Sequence, residues 1–273
     1  MNKFRAILYD TFLEVKDRKI FYLYWVVTII MVLVFALMPS MQIRGQEIFH
    51  QGAGDDSSGG LFDRSMIANI IAHFFDGFLG FMIFLMVFGS AGLVPSFLGK
   101  GRVELVLAKP IDRYRLMAMK FLSVYIVTAA VLAMATTLIW LTLSLRLGMA
   151  DAHFFLGLAF ALMQFLLVYA VVFALGIVSN SAAVAIMGYF MLRIATDLLS
   201  GREVVYPFLG KSVWKTVLDI LYHFLPKMSE MSNNYVPLMT GRGIDSIYPI
   251  WSSLLFGLAI FAAALLFFNR KDY

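Results

Sequence analysis

The stretch SFLGKGRVELVLAKPIDRYRLMAMK, residues 96–120, is a basic island between two long apolar segments. Its charged side chains are six cations, Lys100, Arg102, Lys109, Arg113, Arg115 and Lys120, and two anions, Glu104 and Asp112. Lys and Arg beside membrane-crossing segments resist translocation, so we expect the island on the cytoplasmic side. There it would offer a docking surface to a cytoplasmic partner.

A short helix is predicted inside the island, from Arg102 to Ala108. Pro110 ends this helix, because proline cannot continue a helix and pushes the residue before it into an extended conformation. Asp112 can then cap the helix that follows, since a carboxylate at that position accepts hydrogen bonds from the first backbone amides. The island therefore combines a short helix with a corner that leads into the next apolar segment.

The composition of the chain indicates a polytopic membrane protein. Of its 273 residues, 61% are hydrophobic and 14% are charged, which leaves too few polar side chains to cover a soluble domain. Several apolar runs reach the ~20 residues that are needed to cross a hydrocarbon core. Such runs form helices, because a helix satisfies its own backbone hydrogen bonds in lipid. The predicted fold class is therefore all-α.

We predict one transmembrane domain over residues 1–273, with six membrane-spanning helices. The predicted spans are residues 20–39, 67–94, 117–145, 154–178, 182–199 and 249–268. Residues 1–19 have an apolar residue every three or four positions, which predicts an amphipathic helix in the membrane interface. The N-terminus, the island and the C-terminal tail hold 13 Lys and Arg, and the opposite loops hold 8. Both termini are therefore expected in the cytoplasm.

The segment 200–248 contains a second amphipathic pattern, over residues 211–225. The apolar residues of one face are Trp214, Val217, Leu218, Leu221 and Leu225. We predict an extracytoplasmic helix that ends near Pro226. The pattern fits a helix in the outer leaflet and a helix packed on its own spans equally well.

Besides Lys120 of the basic island, three charged residues fall inside the predicted spans, Asp76 in the second and Arg193 and Asp197 in the fifth. Charges in lipid are costly, so such residues usually face a partner or a polar path. Arg193 and Asp197 are four residues apart, which also allows them to neutralise each other on one helix face. The first alternative gives a polar path for a substrate, and the second gives a structural ion pair.

Motifs for chemistry within the chain are weak. GLVPSFLGKG, residues 92–101, lacks the glycine spacing and the Ser or Thr of a phosphate-binding loop. Residues 52–55 spell G-x-G-D, a string of intramembrane proteases, but turn-rich loops contain Gly and Asp by default. The four histidines are scattered and there is no cysteine. We therefore predict no catalytic residue, no metal site and no cofactor in this chain.

The sequence of the island resembles a family. GKGRVELVLAKPIDRYRLMAMKF, residues 99–121, is similar to the loop between the second and third spans of ABC-2 type permeases, the membrane subunits of ATP-binding-cassette (ABC) transporters. The matching residues are Gly101, Glu104, Leu105, Leu107, Pro110, Ile111, Arg113, Lys120 and Phe121. Residues 2–23 resemble the interfacial elbow helix of the family, and residues 221–232 a segment before its last span. The branch that the chain resembles includes the permease of nitrous-oxide reductase maturation.

This resemblance implies a permease that exports a substrate across a prokaryotic plasma (inner) membrane. Two cytoplasmic ATPase subunits would bind ATP and Mg²⁺, and a second permease protomer, identical or different, would complete the complex. The coupling helix that docks on the ATPase would comprise Arg102, Val103, Glu104, Leu105, Val106 and Leu107, followed by Pro110. The alternatives are a non-transporting anchor that transmits ATP-driven motion to extracytoplasmic partners, and a membrane-embedded enzyme that uses Asp76, Asp197 or His73.

Overall fold

The structure is a computed structural model that describes residues 3–37, 64–99, 112–147, 152–209, 213–241, 243–244 and 246–271. Within these residues every regular element is an α-helix, so the all-α prediction is confirmed. In chain order the helices are α1 (Lys3–Lys16), α2 (Lys19–Ala36), α3 (Arg64–Ala91), α4 (Leu93–Phe97), α5 (Arg113–Leu147), α6 (Phe154–Ser179), α7 (Ala182–Ser200), α8 (Arg202–Leu209), α9 (Val213–Phe224), α10 (Met228–Ser232), α11 (Tyr235–Met239) and α12 (Tyr248–Arg270).

Six helices among the described residues are long and apolar enough to cross a membrane, as predicted. They are α2, α3 with its continuation α4, α5, α6, α7 and α12. The short helix α1 falls within the predicted N-terminal amphipathic segment. It is followed after two residues by α2, so the chain turns sharply where the first span begins.

The core of the bundle lies around α6. About two thirds of the span formed by α3 and α4, and of α6, is buried inside the protein, against 17% of α2 and of α12. Aromatic rings fill the centre, where Phe121 of α5 stacks on Tyr169 of α6 and Phe261 of α12 packs on the same ring of Phe121. The peripheral helices therefore present most of their surface to lipid or to another protein.

Several chain ends meet at one end of the bundle, which we call the base. The Arg113 guanidinium at the start of α5 donates to the Lys271 carbonyl oxygen (3.2 Å), just after α12. Lys271 Nζ in turn donates to the Ile177 carbonyl oxygen (3.1 Å) near the end of α6. There the chain reverses at Asn180, which adopts the left-handed conformation (φ 51°) that asparagine tolerates at helix ends. The base thus gathers the ends of α6 and α12 and the start of α5.

The described residues of the segment 200–248 form four helices rather than an open loop. The predicted amphipathic helix is present as α9, which ends at Phe224, two residues before Pro226. The two short helices α10 and α11 were not predicted, and they insert between the spans. Met228, Met231 and Tyr235 are each at most 1% exposed, packed with α6 and α7. The far end of the bundle, opposite the base, is therefore closed by these inserted helices.

Candidate functional site

The predicted docking residues Arg102, Val103, Glu104, Leu105, Val106, Leu107 and Pro110 lie outside the described residues. The structure describes the helices on both sides of them. On one side α4 ends at Phe97, and on the other α5 begins at Arg113, directly after Asp112. The geometry of these two flanks defines what holds the loop 100–111 in position.

A buried polar network joins both flanks to α1. We call it the base cluster, and its members are Thr11, Glu14, Arg18, Ser96 and Lys120. Lys120 Nζ donates to Glu14 Oε2 (3.1 Å) and to Thr11 Oγ1 (3.1 Å). The Ser96 hydroxyl donates to Glu14 Oε1, and Arg18 Nη2 lies 3.5 Å from the same oxygen. One carboxylate of α1 therefore contacts α4 and α5 at the same time.

The base cluster is shielded from solvent. The Lys120 side chain is fully buried, and that of Glu14 is 15% exposed. Burying a charge costs several kcal/mol unless hydrogen bonds and an opposite charge compensate, and each charge here has both. The Lys120 ammonium also lies 5.1 Å from the centre of the Phe97 ring, which adds a cation–π contact from α4. The network is thus fully paired only when α1, α4 and α5 are together.

Two glycines allow α1 and α2 to approach the end of the second span. A Cβ at Gly92 would lie 2.5 Å from Arg18 Nη1, so only glycine leaves room for the guanidinium in this position. A Cβ at Gly89 would lie 2.3 Å from the Tyr24 hydroxyl, which donates to the Leu85 carbonyl oxygen (3.0 Å). Close packing at small residues is a common way to join membrane helices.

The structure brings together two of the three charged residues predicted inside the spans. Arg193 Nε lies 3.1 Å from Asp197 Oδ2, and the Ser229 hydroxyl of α10 also donates to Asp197. Asp76 forms no ion pair with Arg193, although Arg193 is close enough to influence it electrostatically. The Arg193–Asp197 ion pair expected from the four-residue spacing is present, and Asp197 is also hydrogen-bonded to the inserted helix α10.

A cavity of about 430 Å³ lies beside this ion pair, between α3, α6, α7 and α10. Its walls are Gly80, Phe81, Ile83, Phe84, Gln164, Tyr189, Arg193 and Ser232. Gln164 is 4% exposed and is held by the Tyr235 hydroxyl, which donates to Oε1, while its Nε2 donates to Ser232 Oγ (3.2 Å). The cavity thus combines an aromatic wall with one guanidinium and a fixed amide, while Asp76 and Asp197 do not line it.

A second set of polar side chains, at the far end, attaches α9 to the neighbouring helices. Its members are Arg202, Tyr222, Lys227 and Glu230. The Arg202 guanidinium lies 3.4 Å from the centre of the Tyr222 ring, and the Tyr222 hydroxyl donates to Glu230 (2.5 Å). Burial and this hydrogen bond to Glu230 raise the pKa of Tyr222 to about 12. Lys227 is 3% exposed with its ammonium 4.4 Å from the same ring, and burial lowers its pKa.

Sequence reasoning missed the role of Glu14 and Thr11. Both were counted as part of an amphipathic helix, and Lys120 was counted as a cation of the basic island. A signal was present in the spacing, because Thr11, Glu14 and Arg18 recur at three and four residues and so share one face of a helix. That polar stripe is buried rather than exposed, which spacing does not reveal.

A chain with six apolar spans was compared with known protein families. The family model described as ABC-2 family transporter protein matches residues 13–273. The chain belongs to this ABC-2 family. No curated protein matches the sequence. An ABC-2 family chain of this kind is a multi-pass permease of the ABC-transporter type, and the match includes Glu14, Lys120 and residues 100–111.

Proposed function

We propose that this ABC-2 protein is the permease subunit of an ABC exporter, driven by two separate cytoplasmic ATPase subunits that bind ATP and Mg²⁺. The single observation that carries the proposal is the base cluster. Glu14 bonds to Ser96 on one side of the loop 100–111 and to Lys120 on the other. A loop fixed at both ends to a third helix is suited to pass force into the spans. The subunit itself would perform no catalysis.

The coupling would proceed through rigid helices. An ATPase that binds Arg102, Val103, Glu104, Leu105, Val106 and Leu107 would pull on α4 and α5 together with α1, because the base cluster joins them. Pro110 would form the corner between the coupling helix and α5. Coupling between the ATPase docking site and the substrate path requires a structural element with two arrangements, and both sites must favour one arrangement over the other. The tilt of α1, α4 and α5 would be that element.

The substrate path is proposed to pass the cavity beside Arg193. A guanidinium in lipid would attract polar or anionic groups, while the aromatic wall would take apolar parts. Asp197 neutralises Arg193 in the described arrangement, so the path would become attractive to anions when the two side chains separate. Asp76 lies outside this cavity and within electrostatic reach of Arg193.

The complex is proposed to reside in a prokaryotic inner membrane with both chain termini in the cytoplasm. The base then faces the cytoplasm, in accordance with its excess of Lys and Arg. The exposed surfaces of α2 and α7 would contact a second permease protomer, identical or different. The family match does not separate branches, so the likeness to the nitrous-oxide reductase maturation permease stays a prediction and names no substrate.

The test uses the permease co-expressed with its proposed ABC ATPase subunit. Glu104→Arg, or Leu105→Asp together with Leu107→Asp, should release the ATPase from the purified membrane complex. A matched control is Thr216→Asp at the far end, which should leave the complex intact. If the ATPase co-purifies with the loop variants and its activity remains coupled, the docking assignment is wrong.

A second candidate function is a non-transporting anchor, and the exposed apolar face of α9 favours it. Val213, Trp214 and Phe224 are each more than 60% exposed at the far end, where an extracytoplasmic partner would bind. Deleting residues 211–225 separates the two functions. An anchor would lose its partner and its cellular role, whereas an exporter that retains transport without α9 would rule the anchor out.

A further inference from the structure

The specific contacts that attach α9 to the protein are made by its polar side chains. Asp219 accepts a hydrogen bond from the Tyr206 hydroxyl of α8 and lies 3.6 Å from Arg202 Nε. Lys215 Nζ lies 5.5 Å from the centre of the Tyr206 ring, and Tyr222 bonds to Glu230. A helix on the surface of a soluble domain is oriented the other way, with its apolar face on the core.

The side of α9 that faces away from these contacts is apolar and largely exposed. The exposed fractions are 78% for Val213, 64% for Trp214, 63% for Ile220, 42% for Leu221 and 72% for Phe224. No residue of α9 is buried. Contiguous exposed apolar side chains of this size mark a surface that another apolar phase covers.

The C-terminal end of α9 reaches the depth of the sixth span. The Phe224 ring lies 6.2 Å from the Phe256 ring of α12. Phe256 is eight residues after Tyr248, where α12 begins, which corresponds to ~12 Å along a helix axis. Three residues after α9, the backbone N–H of Lys227 donates to Ser253 Oγ (2.9 Å). The end of α9 therefore lies alongside a membrane span rather than above it.

The sixth span, which α9 contacts through Phe256, is itself apolar and mostly uncovered. Trp251, Leu255 and Leu258 are each 63–64% exposed on that side, inside a span of mean hydropathy 2.3. Tyr248 and Trp251 at the start of the span are residues that favour the boundary between headgroups and acyl chains. The exposed surface of a membrane span meets acyl chains, and the end of α9 lies against this span.

We propose that α9 lies in the membrane leaflet opposite the base, with its apolar face among phospholipid acyl chains. Thr216 and His223, on the exposed polar flank, then meet headgroups or water. Arg202 follows α7 by two residues, and Lys227 and Glu230 lead towards α12, so the contacts of Tyr222 fix α9 to the ends of the fifth and sixth spans. In this arrangement α9 anchors both spans to the leaflet. The binding partner is the lipid surface itself.

The test measures the lipid contact of Trp214 in the full-length chain. Trp25, Trp140 and Trp251 are replaced by Phe, and the protein is reconstituted in phosphatidylcholine vesicles with acyl chains brominated at shallow or deep positions. Bromine quenches indole fluorescence only at close range. We expect strong quenching of Trp214 by the shallow-brominated lipid and weak quenching by acrylamide added to the water.

A matched control carries Trp214→Phe and Thr216→Trp in the same background, which moves the indole to the polar flank of the same helix. Its fluorescence should be quenched by acrylamide and little by brominated chains. Acrylamide quenching of Trp214 without bromine quenching would place the apolar face in water and overturn the proposal. Protection of Trp214 from both quenchers would mean that a second copy of the chain covers it, and would overturn the proposal as well. Neither result depends on an ATPase.

Discussion

Lys120 Nζ lies 3.1 Å from Glu14 Oε2, and the lysine side chain has no exposed surface. This pair connects the first helix of the chain to the helix that follows the loop 100–111. Through Ser96 the same carboxylate reaches the helix that precedes the loop. A displacement of the loop therefore has to move α1 or break a buried ion pair.

We expect the Glu14–Lys120 pair to show strong coupling in a double-mutant cycle. Glu14→Gln leaves the buried Lys120 ammonium without its counter-charge, a change that typically costs about 3–5 kcal/mol of unfolding free energy. Lys120→Met should cost less, since Arg18 and Ser96 remain beside Glu14. The double variant should be more stable than Glu14→Gln alone, because no buried charge is left without its partner.

The unfolding free energy of each variant can be measured in mixed micelles by denaturing-detergent titration. Lys16→Gln, on the exposed side of α1, serves as the control and should change stability by less than ~0.5 kcal/mol. Strictly additive losses in the double variant would contradict the pairing of Glu14 with Lys120.

Tyr222 should ionise at unusually high pH. Its folded-state pKa is raised to about 12 by burial and by the hydrogen bond to Glu230. The stabilisation from the protonated phenol is therefore present below the ordinary tyrosine pKa of ~10 and is lost as the pH rises from there towards 12. The difference in tyrosinate absorbance between the parent chain and Tyr222→Phe should show a single step near pH 12. A step near pH 10 would contradict the burial of Tyr222 and its hydrogen bond to Glu230.

The cavity beside Arg193 should admit a water-soluble thiol reagent. The chain has no cysteine, so single substitutions report cleanly. Ser232→Cys lines the cavity and should react with a charged methanethiosulfonate. Ser253→Cys, at a fully buried position nearby, is the control and should stay unmodified until the protein is denatured. Equal protection of both thiols in the folded protein would mean that the cavity is closed to water.

The orientation of the chain can be tested in the same cysteine-free background. Ser246→Cys, exposed at the far end, should react with a membrane-impermeant maleimide added to intact cells. Lys16→Cys, exposed on α1, should react only after the cells are permeabilised, since the positive-inside rule places the base in the cytoplasm. The reverse pattern would contradict the proposed topology.

Periodicity and hydropathy were sufficient to predict the six spans and α9. Each span is apolar over enough residues to cross a membrane on its own, so local composition decides its existence. The Arg193–Asp197 pair also followed from sequence, because a four-residue spacing places two side chains on one helix face without help from the rest of the fold.

The inserted helices and the base cluster could not be predicted in this way. Met228, Met231 and Tyr235 belong to five-residue helices that are stable only against α6 and its neighbours, so their own periodicity is too short to read. Glu14 and Lys120 are 106 positions apart, and spacing does not indicate contacts of that length. The outward apolar face of α9 likewise depends on which side packs, which an amphipathic pattern leaves open.

The central claim is that movement at the base reaches the membrane cavity through Glu14 and Lys120. The most direct measurement is the modification rate of Ser232→Cys in the reconstituted complex with its ATPase, with and without ATP. We expect the two rates to differ when the base cluster is intact. The difference should disappear in Glu14→Gln combined with Lys120→Met, with the ATPase still bound. Equal rates with and without ATP in the chain with an intact base cluster would contradict the account.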